Sequence, residues 1–344
     1  MRRTARPGAL QRLLRSRAAL AAAIALALIV AACLAAPLWA DHVAETGPDT
    51  NHLTDTVTVD GEERDVVSLD GVPIGPTWQG RYFLGADANG RDVMVRLLYG
   101  GRNSLLIALA ASALCLVLAV AAGLVAGYAR GFVDAAISAA LDVLWSFPVV
   151  ILGVALGVAL ALGGLQVGPL VIDGGSLLIP MLVIGVVFVP YVARPIRAQA
   201  RSLREREFVD AARVSGASPA RIMLGELLPN LASTIAVFVA LLAANAILLE
   251  AALSFLGAGV QPPTPSWGTM IRDGVDLLTS APHLALAPGI AIVATVLAVN
   301  ALGDAVRDAL DPRAPVGLER GAGSAGPAAP APTAGSRTPE GRPS

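Results

Sequence analysis

The sequence predicts an all-α integral membrane protein with six transmembrane helices, and three observations support this fold class. The 344 residues are 55% hydrophobic and only 15% charged, a composition that soluble domains do not show. Apolar stretches close to the twenty residues that span a bilayer recur along the chain. Charged residues collect in the connections between these stretches, and basic connections alternate with acidic or neutral ones, as the positive-inside rule requires.

The first predicted helix covers residues 18–40. Residues 1–17, which precede it, carry six Arg and no acidic residue, so we expect them on the cytoplasmic side. A cleaved signal peptide is the alternative interpretation. The apolar run is too long for one, and Leu38-Trp39-Ala40 is a poor cleavage site, so we predict an uncleaved helix.

Residues 41–92 form a predicted extracytoplasmic insert, because they contain eleven acidic residues and three Arg. Two Val-rich runs, separated by Asp60-Gly61 and ending at Asp70-Gly71, predict a small β-meander. The pattern does not indicate a function for this insert.

The extracytoplasmic segment is expected to continue to residue 104 as an interfacial helix along the outer membrane surface. Asp87 and Asn89 suggest a calcium loop. We reject that interpretation because the Gly is misplaced and Leu98 occupies the position of the bidentate Glu. Three arginines are expected at the membrane interface: Arg91, Arg96 and Arg102.

Five further helices are predicted between residues 105 and 303. Their expected ranges are 105–128, 135–162, 176–193, 231–253 and 284–302, with a kink at Pro148. Polar residues inside such helices usually face a cavity or a partner. Four are candidates for lining a translocation path: Asp142, Asn245, Glu250 and Asn300. For Asp142 and Glu250, solvation near the inner and the outer interface, respectively, is an equally good explanation. We expect 304–313 to be a cytoplasmic helix end and 314–344 a disordered tail.

The connection 194–230 carries seven Arg and four acidic residues, so it is expected to be cytoplasmic. Ser202 and Glu205 have the spacing of a capping box and predict the start of a short helix. Gly216 predicts its end, because glycine adopts the left-handed conformation readily.

A second short helix is predicted directly afterwards. Ser218 is a good N-cap, Pro219 suits the first helical position, and Pro229 is expected to end the helix. In the first short helix, mostly small residues share one face at three- and four-residue spacing, which would allow another protein to approach closely. These residues are Phe208, Ala211, Ala212 and Ser215.

Composition excludes several function classes. Every one of the 25 basic residues is Arg, so the chain lacks the Lys of a P-loop. Cys33 and Cys115 lie in apolar stretches and are expected to be buried hydrophobic residues. No His lies near Ser218 in the predicted topology, which leaves a membrane-embedded enzyme as a remote alternative. A stand-alone secondary transporter is equally remote, because no internal repeat is visible.

The loop resembles the cytoplasmic loop of permease subunits of bacterial ABC importers. That loop carries Glu-Ala-Ala, then Gly, then Leu-Pro, which correspond here to Asp210-Ala211-Ala212, Gly216 and Leu228-Pro229. Two residues depart from the pattern: Asp210 replaces Glu, and Glu226 stands where Ile or His is usual. In the family this loop docks into a cleft of the ATP-hydrolysing subunit. The resemblance therefore implies an ATPase-coupling set, namely Phe208, Asp210, Ala211, Ala212, Gly216, Ser218, Leu228 and Pro229.

Two further stretches, 83–105 and 250–268, resemble the dipeptide, oligopeptide and nickel branch of these permeases. Residues 300–313 resemble the carboxy-terminal end of the family, so the resemblance spans about 84–313. It implies the type I importer permease fold, with a permease core at 105–303. In the 256–266 stretch Gly and Pro predict a rigid non-helical loop, and Trp267 is expected in the interfacial aromatic belt.

The resemblance also implies partners. These are a second homologous permease, two ATP-binding subunits that use ATP and magnesium, an extracytoplasmic solute-binding protein and the lipid bilayer. No cofactor is expected on this chain, and no nucleic acid. The solute would be a peptide or, in the same machine, nickel, glutathione or an opine-like compound. The expected location is the bacterial inner membrane, with both termini cytoplasmic.

Overall fold

The computed structural model describes residues 16–59 and 61–310. The predictions for residues 1–15 and for the tail 314–344 lie outside this part of the chain. In the described residues, five helical stretches are long and apolar enough to cross a membrane, and a bent pair of helices makes a sixth. The prediction of six spans is therefore confirmed in number.

The helices are numbered here in chain order. They are α1 (Arg17–Leu34), α2 (Ala36–Trp39), α3 (Val93–Tyr128), α4 (Phe132–Trp145), α5 (Val149–Gly163), α6 (Leu178–Val187), α7 (Val189–Arg204), α8 (Glu207–Val214), α9 (Pro219–Arg221), α10 (Leu228–Phe255), α11 (Trp267–Gly274) and α12 (His283–Leu310). Two π-helical turns, Ala40–Ala44 and Ile222–Leu227, continue α2 and join α9 to α10, and a 3₁₀ turn, Val275–Leu277, follows α11.

The molecule has two ends, which we name by what they carry. The hairpin end holds the insert 45–92 and the connections 164–177 and 256–282, and the loop end holds the connections 129–131 and 205–218. The connection 129–131 follows α3, and 205–218 follows the successive helices α6 and α7; both α3 and α6 begin at the hairpin end.

The hairpin end carries two small antiparallel sheets. In the first, β1 (Thr56–Val59) pairs with β2 (Glu62–Asp65), with Val59 opposite Glu62. After this hairpin the chain pairs once more, through an antiparallel bridge between Val67 and Pro73, so the predicted meander is present in shortened form. The second, β3 (Leu165–Val167) with β4 (Leu170–Ile172), was not predicted.

The predicted interfacial helix before residue 105 is wrong. Residues 93–104 are the first three turns of α3, which runs without a break for 36 residues. At 1.5 Å per residue α3 is about 54 Å long, so it exceeds the ~30 Å hydrocarbon layer and extends into the hairpin end. No Gly or Pro interrupts the apolar pattern strongly enough to start a new helix at Leu105.

The long helix α3 lies in the middle of the fold and packs most closely on α7. A Cβ atom added to Gly127 would lie 2.6 Å from Ala200 Cβ, and one added to Gly123 would lie 2.7 Å from the Ala193 carbonyl oxygen. Both distances are too short for a side chain, so only glycine allows this close crossing. Apolar residues such as Val192 and Ile196, both fully buried, fill the space beside it.

Helices α4 and α5 are bent by 90° at residues 146–148. Pro148 stands immediately before α5, where its missing N–H interrupts the backbone hydrogen bonds of the preceding turn. The predicted kink at Pro148 is thus confirmed. The bend brings α5 against the loop that follows α10, where Gly157 passes the Ala258 backbone too closely for any side chain.

Candidate functional site

The loop end presents a short helix, α8, that projects from the membrane helices. The predicted start of this helix at Ser202 is wrong, because Ser202 lies inside α7. A capping residue needs non-helical backbone angles, and no Gly or Pro between Pro195 and Arg204 interrupts α7. Helix α8 begins instead after Arg206, which caps it without a side-chain hydrogen bond.

The predicted end of α8 at Gly216 is confirmed. Gly216 has a φ of 76°, and the Ala217 N–H donates to the Ala212 carbonyl at 3.0 Å. This left-handed residue turns the chain towards α9. There the predicted cap is also confirmed, since the Ser218 hydroxyl accepts the Arg221 N–H at 3.3 Å and Pro219 occupies the first turn.

The predicted helix end at Pro229 is wrong. The chain continues from α9 through the π-helical turn Ile222–Leu227 into α10. A proline has no N–H and crowds the carbonyl four residues earlier, and the wider π turn lies where that conflict would occur. In the same turn the Asn230 side chain donates to the Glu226 carbonyl at 2.7 Å. Leu228 packs partly on the apolar cluster at the loop end.

Helix α8 buries one side and exposes the other. Val209 is fully buried, and Phe208 and Ala212 pack partly against the apolar cluster below them. The predicted face is therefore split, because Phe208 and Ala212 point inwards while Ala211 and Ser215 are exposed. We name the exposed side the outward face of α8; it consists of Asp210, Ala211, Val214 and Ser215.

Val214 is the residue of this face that sequence analysis missed. Its side chain is 91% exposed and lies between charged neighbours. Its position five residues after the buried Val209, on the opposite side of a short amphipathic helix, could have revealed it. Asp210, on the same face, forms an ion pair with Arg213, with 2.8 Å between Oδ1 and Nη1.

Arg204, also missed, fixes the base of this helix to α3. Its guanidinium is buried and donates to the carbonyls of Gly127, Tyr128 and Ala129 at 3.1–3.2 Å. The last carbonyls of a helix lack partners within the helix and carry partial negative charge, so an arginine there is stabilising. Arg204 therefore ties the chain immediately before α8 to the end of the longest helix.

The four candidate path residues occupy different settings. Asp142 is exposed and bonded to Arg194. The Asn245 side chain donates to a carbonyl of its own helix, at Leu241. Asn300 is exposed beside a cavity of about 100 Å³.

Glu250, the fourth candidate, is completely buried at the hairpin end. Its Oε1 accepts from the Ser254 hydroxyl at 2.8 Å, and that hydroxyl in turn accepts from the Val260 N–H at 3.0 Å. Oε2 has no hydrogen-bond partner among the described residues. Glu250 thus connects α10 to the loop that follows it and is not solvated at an interface.

The predicted position of Trp267 in an interfacial belt is wrong, because its side chain is only 1% exposed. The indole N–H donates to the Leu97 carbonyl and the backbone N–H to the Ser104 hydroxyl, both at 3.1 Å. A Cβ atom on Gly101 would collide with this ring. The predicted non-helical loop at 256–266 is confirmed, and it is packed against α3 at its end.

A buried ionic network joins the insert to the helices at the hairpin end. Asp87 accepts from Arg91 at 2.7 Å and lies 3.5 Å from Arg96, whose guanidinium also donates to the Pro48 carbonyl at 2.8 Å. The predicted interfacial positions of Arg91 and Arg96 are wrong, since both side chains are buried. Nearby, burial raises the pKa of Asp92. The hydrogen bonds that its carboxylate accepts from backbone N–H groups lower this pKa, but by less.

The family described as binding-protein-dependent transport system inner membrane component matches residues 119–315. A peptide transport system permease protein of Brucella suis is 38% identical over 232 residues, 67% of this chain and 74% of the relative. A di/tripeptide transport system permease protein of Pseudomonas aeruginosa is 36% identical over 69% of this chain and 76% of its own.

A longer match is a peptide permease protein of Brucella ovis, 34% identical over 88% of this chain and 89% of the relative. Among solved structures, the chain is similar to one from inward-facing conformations of the MetNI methionine ABC transporter. The TM-score is 0.51 at 19% identity, over 64% of this chain and 98% of that chain. This structural likeness concerns the fold.

Proposed function

The chain belongs to the family of binding-protein-dependent transport system inner membrane components, and we propose that it forms half of the path by which an ABC importer moves small peptides. It is a permease subunit of a multi-pass inner-membrane system, and ATP hydrolysis belongs to separate subunits. Three relatives from three organisms are named as peptide or di/tripeptide permeases. Peptides are therefore the solute class that the comparisons favour.

The proposed coupling site is the outward face of α8 together with Gly216. The observation that carries it is Val214, which is 91% exposed on a helix whose base is fixed to α3 by Arg204. An apolar residue presented in this way is stabilised when a partner covers it. Ala211 beside it is small, so a partner can approach the helix closely. We assign the cleft that receives this face to an ATP-binding subunit.

Orientation and assembly are part of the same proposal. The excess of Arg in 194–230 supports a cytoplasmic loop end, and six spans would bring both termini to that same side. The acidic insert then faces the extracytoplasmic solute-binding protein. A second, homologous permease would complete the path, and two ATP-binding subunits would use ATP and magnesium.

Co-purification tests the proposed docking surface. We would compare wild type, Val214→Arg, and the matched control Leu69→Arg, which alters another fully exposed apolar residue at the opposite end. A charge forced into an apolar cleft should weaken binding by about 2 kcal/mol, roughly thirtyfold. Wild type and Leu69→Arg should retain the ATP-binding subunits in mild detergent, and Val214→Arg should lose most of them.

Two results would contradict the proposal. If wild type purifies without any ATP-hydrolysing subunit, the importer assembly is absent. If Val214→Arg retains these subunits as well as the control does, the outward face of α8 is not the docking site.

A further inference from the structure

Three aromatic rings form a row that leads from α2 to the insert. The Trp39 ring meets the Phe83 ring edge to face, with centres 5.8 Å apart and planes inclined by 81°. Phe83 in turn meets Trp78, with centres 5.4 Å apart and planes inclined by 88°. The last of the three, Trp78, is 67% exposed. We call these three residues the aromatic row; it begins on the helix that continues α1 and ends in an exposed indole.

The loop that carries Trp78 is held firmly in place. The Trp78 N–H donates to the Phe83 carbonyl at 3.2 Å, and the Thr77 hydroxyl donates to the Tyr82 carbonyl at 2.9 Å. The Tyr82 N–H donates to the Asp92 carboxylate at 2.6 Å, and Asp92 is the N-cap of α3. The exposed indole is therefore fixed relative to the start of α3.

The backbone of Trp78 is unusual. Its φ is 56°, in a left-handed region that bulky residues rarely adopt. Such conformations persist only where the surrounding structure imposes them, and they cluster at functional positions. Trp78 contributes little to the core, since most of its side chain is exposed. The conformation instead presents the indole at the surface of the insert.

The neighbouring stretch formed by α1 and α2 has a large side and a small side. Its large side chains recur at helical spacing and are 46–65% exposed: Leu20, Ile24, Leu28, Leu34 and Leu38. Its buried residues are small, namely Ala19, Ala22, Cys33 and Ala36. Helices in membranes pack on one another through small residues. The small side of this stretch therefore contacts the rest of the chain, and the large side is left to the lipid.

The exposed apolar stripe marks the edge of the bilayer. Leu20 and Leu38 are 18 residues apart, which at 1.5 Å per residue is about 27 Å and matches the ~30 Å hydrocarbon layer. The next exposed residues, Asp41 and His42, are polar. Trp39 therefore lies where the hydrocarbon ends and the headgroup layer begins, the level at which tryptophan is enriched.

The Trp78 loop reaches the same level. A Cβ atom added to Gly80 would lie 3.7 Å from the carbonyl oxygen of Val43, a residue just beyond Leu38 that is itself 38% exposed. Trp78, Val43 and Leu38 thus present apolar surface at the edge of the bilayer. Anionic lipid does not attract the insert, because residues 41–92 contain eleven acidic residues and three Arg. A contact between the insert and the bilayer has to be apolar.

We infer that the aromatic row docks the insert onto the bilayer, with the Trp78 indole in the headgroup layer. An indole suits this layer because its ring is apolar and its N–H can donate to a polar headgroup or to water. The occupant follows from continuity, since Phe83 joins Trp78 to a helix whose adjoining side faces lipid. This inference goes beyond the proposed function and depends only on the membrane location of the helices.

Photocrosslinking identifies what touches Trp78. Photoreactive p-benzoylphenylalanine would replace Trp78 in the full chain, purified together with the subunits that accompany it. Nanodiscs of phosphatidylcholine alone, and of an equal mixture of phosphatidylcholine and phosphatidylglycerol, supply the lipid. Leu28, 65% exposed in the middle of the apolar stripe, is the position of the lipid-facing control. Glu63 is the position of the water-facing control, because all four side chains of β2 are charged and exposed.

After illumination, we expect the probe in place of Trp78 to form lipid adducts. Their yield should equal that of the probe in place of Leu28 and be roughly tenfold that of the probe in place of Glu63. It should also be the same in the two lipid compositions, because no attraction between opposite charges contributes.

Several results would overturn the inference. Crosslinks from the Trp78 position to another protein instead of lipid would assign this surface to that protein. Adducts that form only with phosphatidylglycerol would indicate a charged contact, and a yield as low as that at Glu63 would place the indole in water. Absence of adducts at Leu28 would also overturn it, because the apolar stripe would then not face lipid.

Discussion

The two ends of the molecule use their family-like segments in opposite ways. At the loop end Asp210, Val214 and Gly216 are exposed, while Val209 packs the other side of α8 against the apolar cluster. At the hairpin end Glu250 and Trp267 are enclosed between helices. Both segments resemble the family in sequence, but the loop-end segment presents a surface, whereas the hairpin-end segment joins elements of the same chain.

Arginine shows the same contrast at smaller scale. Arg96 is buried in an ionic network that ties the insert to α3, and Arg204 is buried on the carbonyls that end α3. Arg194 is left partly exposed beside a cavity. Guanidinium groups cannot lose their proton in proteins, so each arginine always needs hydrogen-bond acceptors around its N–H groups. The three arginines differ in whether this chain itself provides all of those acceptors.

The strongest test of this contrast is removal of the buried carboxyl at the hairpin end. Glu250→Ala should destabilise the fold by about 3 kcal/mol or more, because it leaves a cavity and deprives the Ser254 hydroxyl of its acceptor. Glu250→Gln keeps the shape and an acceptor, so it should cost much less. The apparent melting temperature of the purified protein in detergent would measure both.

A small effect of Glu250→Ala on melting, combined with a loss of transport, would contradict this structural role. Glu250 would then act in the path, as sequence analysis proposed among its alternatives. The matched Gln variant separates the two possibilities, because it preserves packing while removing the capacity to ionise.

The second test concerns the joint between α8 and α3. Arg204→Gln should remove most of the hydrogen bonds to Gly127, Tyr128 and Ala129 and cost about 2 kcal/mol, since bonds to a charged donor are the stronger ones. We expect the complex to assemble and to hydrolyse ATP, while transport per ATP falls. Arg204→Lys keeps the charge but not the planar fork, so it should be intermediate.

Transport and ATP hydrolysis measured in the same reconstituted vesicles would decide this prediction. If Arg204→Gln lowers both in the same proportion, the residue affects only the amount of folded protein. An unchanged ratio would thus remove Arg204 from the coupling route.

The correct predictions rest on residues that are close together in sequence. Apolar length gave the spans, Pro148 gave the kink, and Gly216 and Ser218 gave the turn between the short helices. Each of these features is decided by local backbone sterics or by the cost of burying peptide groups in lipid.

The predictions that were wrong depend on contacts distant in sequence. Ser202 has the chemistry of a cap, but the helix that contains it is stabilised by packing on α3, more than seventy residues earlier. Trp267 has the chemistry of an interfacial residue, but Gly101 leaves room for its ring. No local pattern shows which helix will cover a residue, so Arg204 could not be given a role before the fold was known.

The smallest expected effect on stability belongs to the exposed end. Gly216→Val should cost about 1–2 kcal/mol locally, because a β-branched residue disfavours the φ of 76°. No atom lies within 4 Å of an added Cβ, so the membrane helices should be unaffected. In the proposed docking, Gly216 sets the orientation of α8 towards its partner, so the variant should still hydrolyse ATP but lose transport. Gly216→Asn, which tolerates a left-handed backbone, should retain most of both activities. Equal loss in the two variants would show that contact at residue 216, and not its conformation, matters; intact transport in Gly216→Val would separate this turn from coupling altogether.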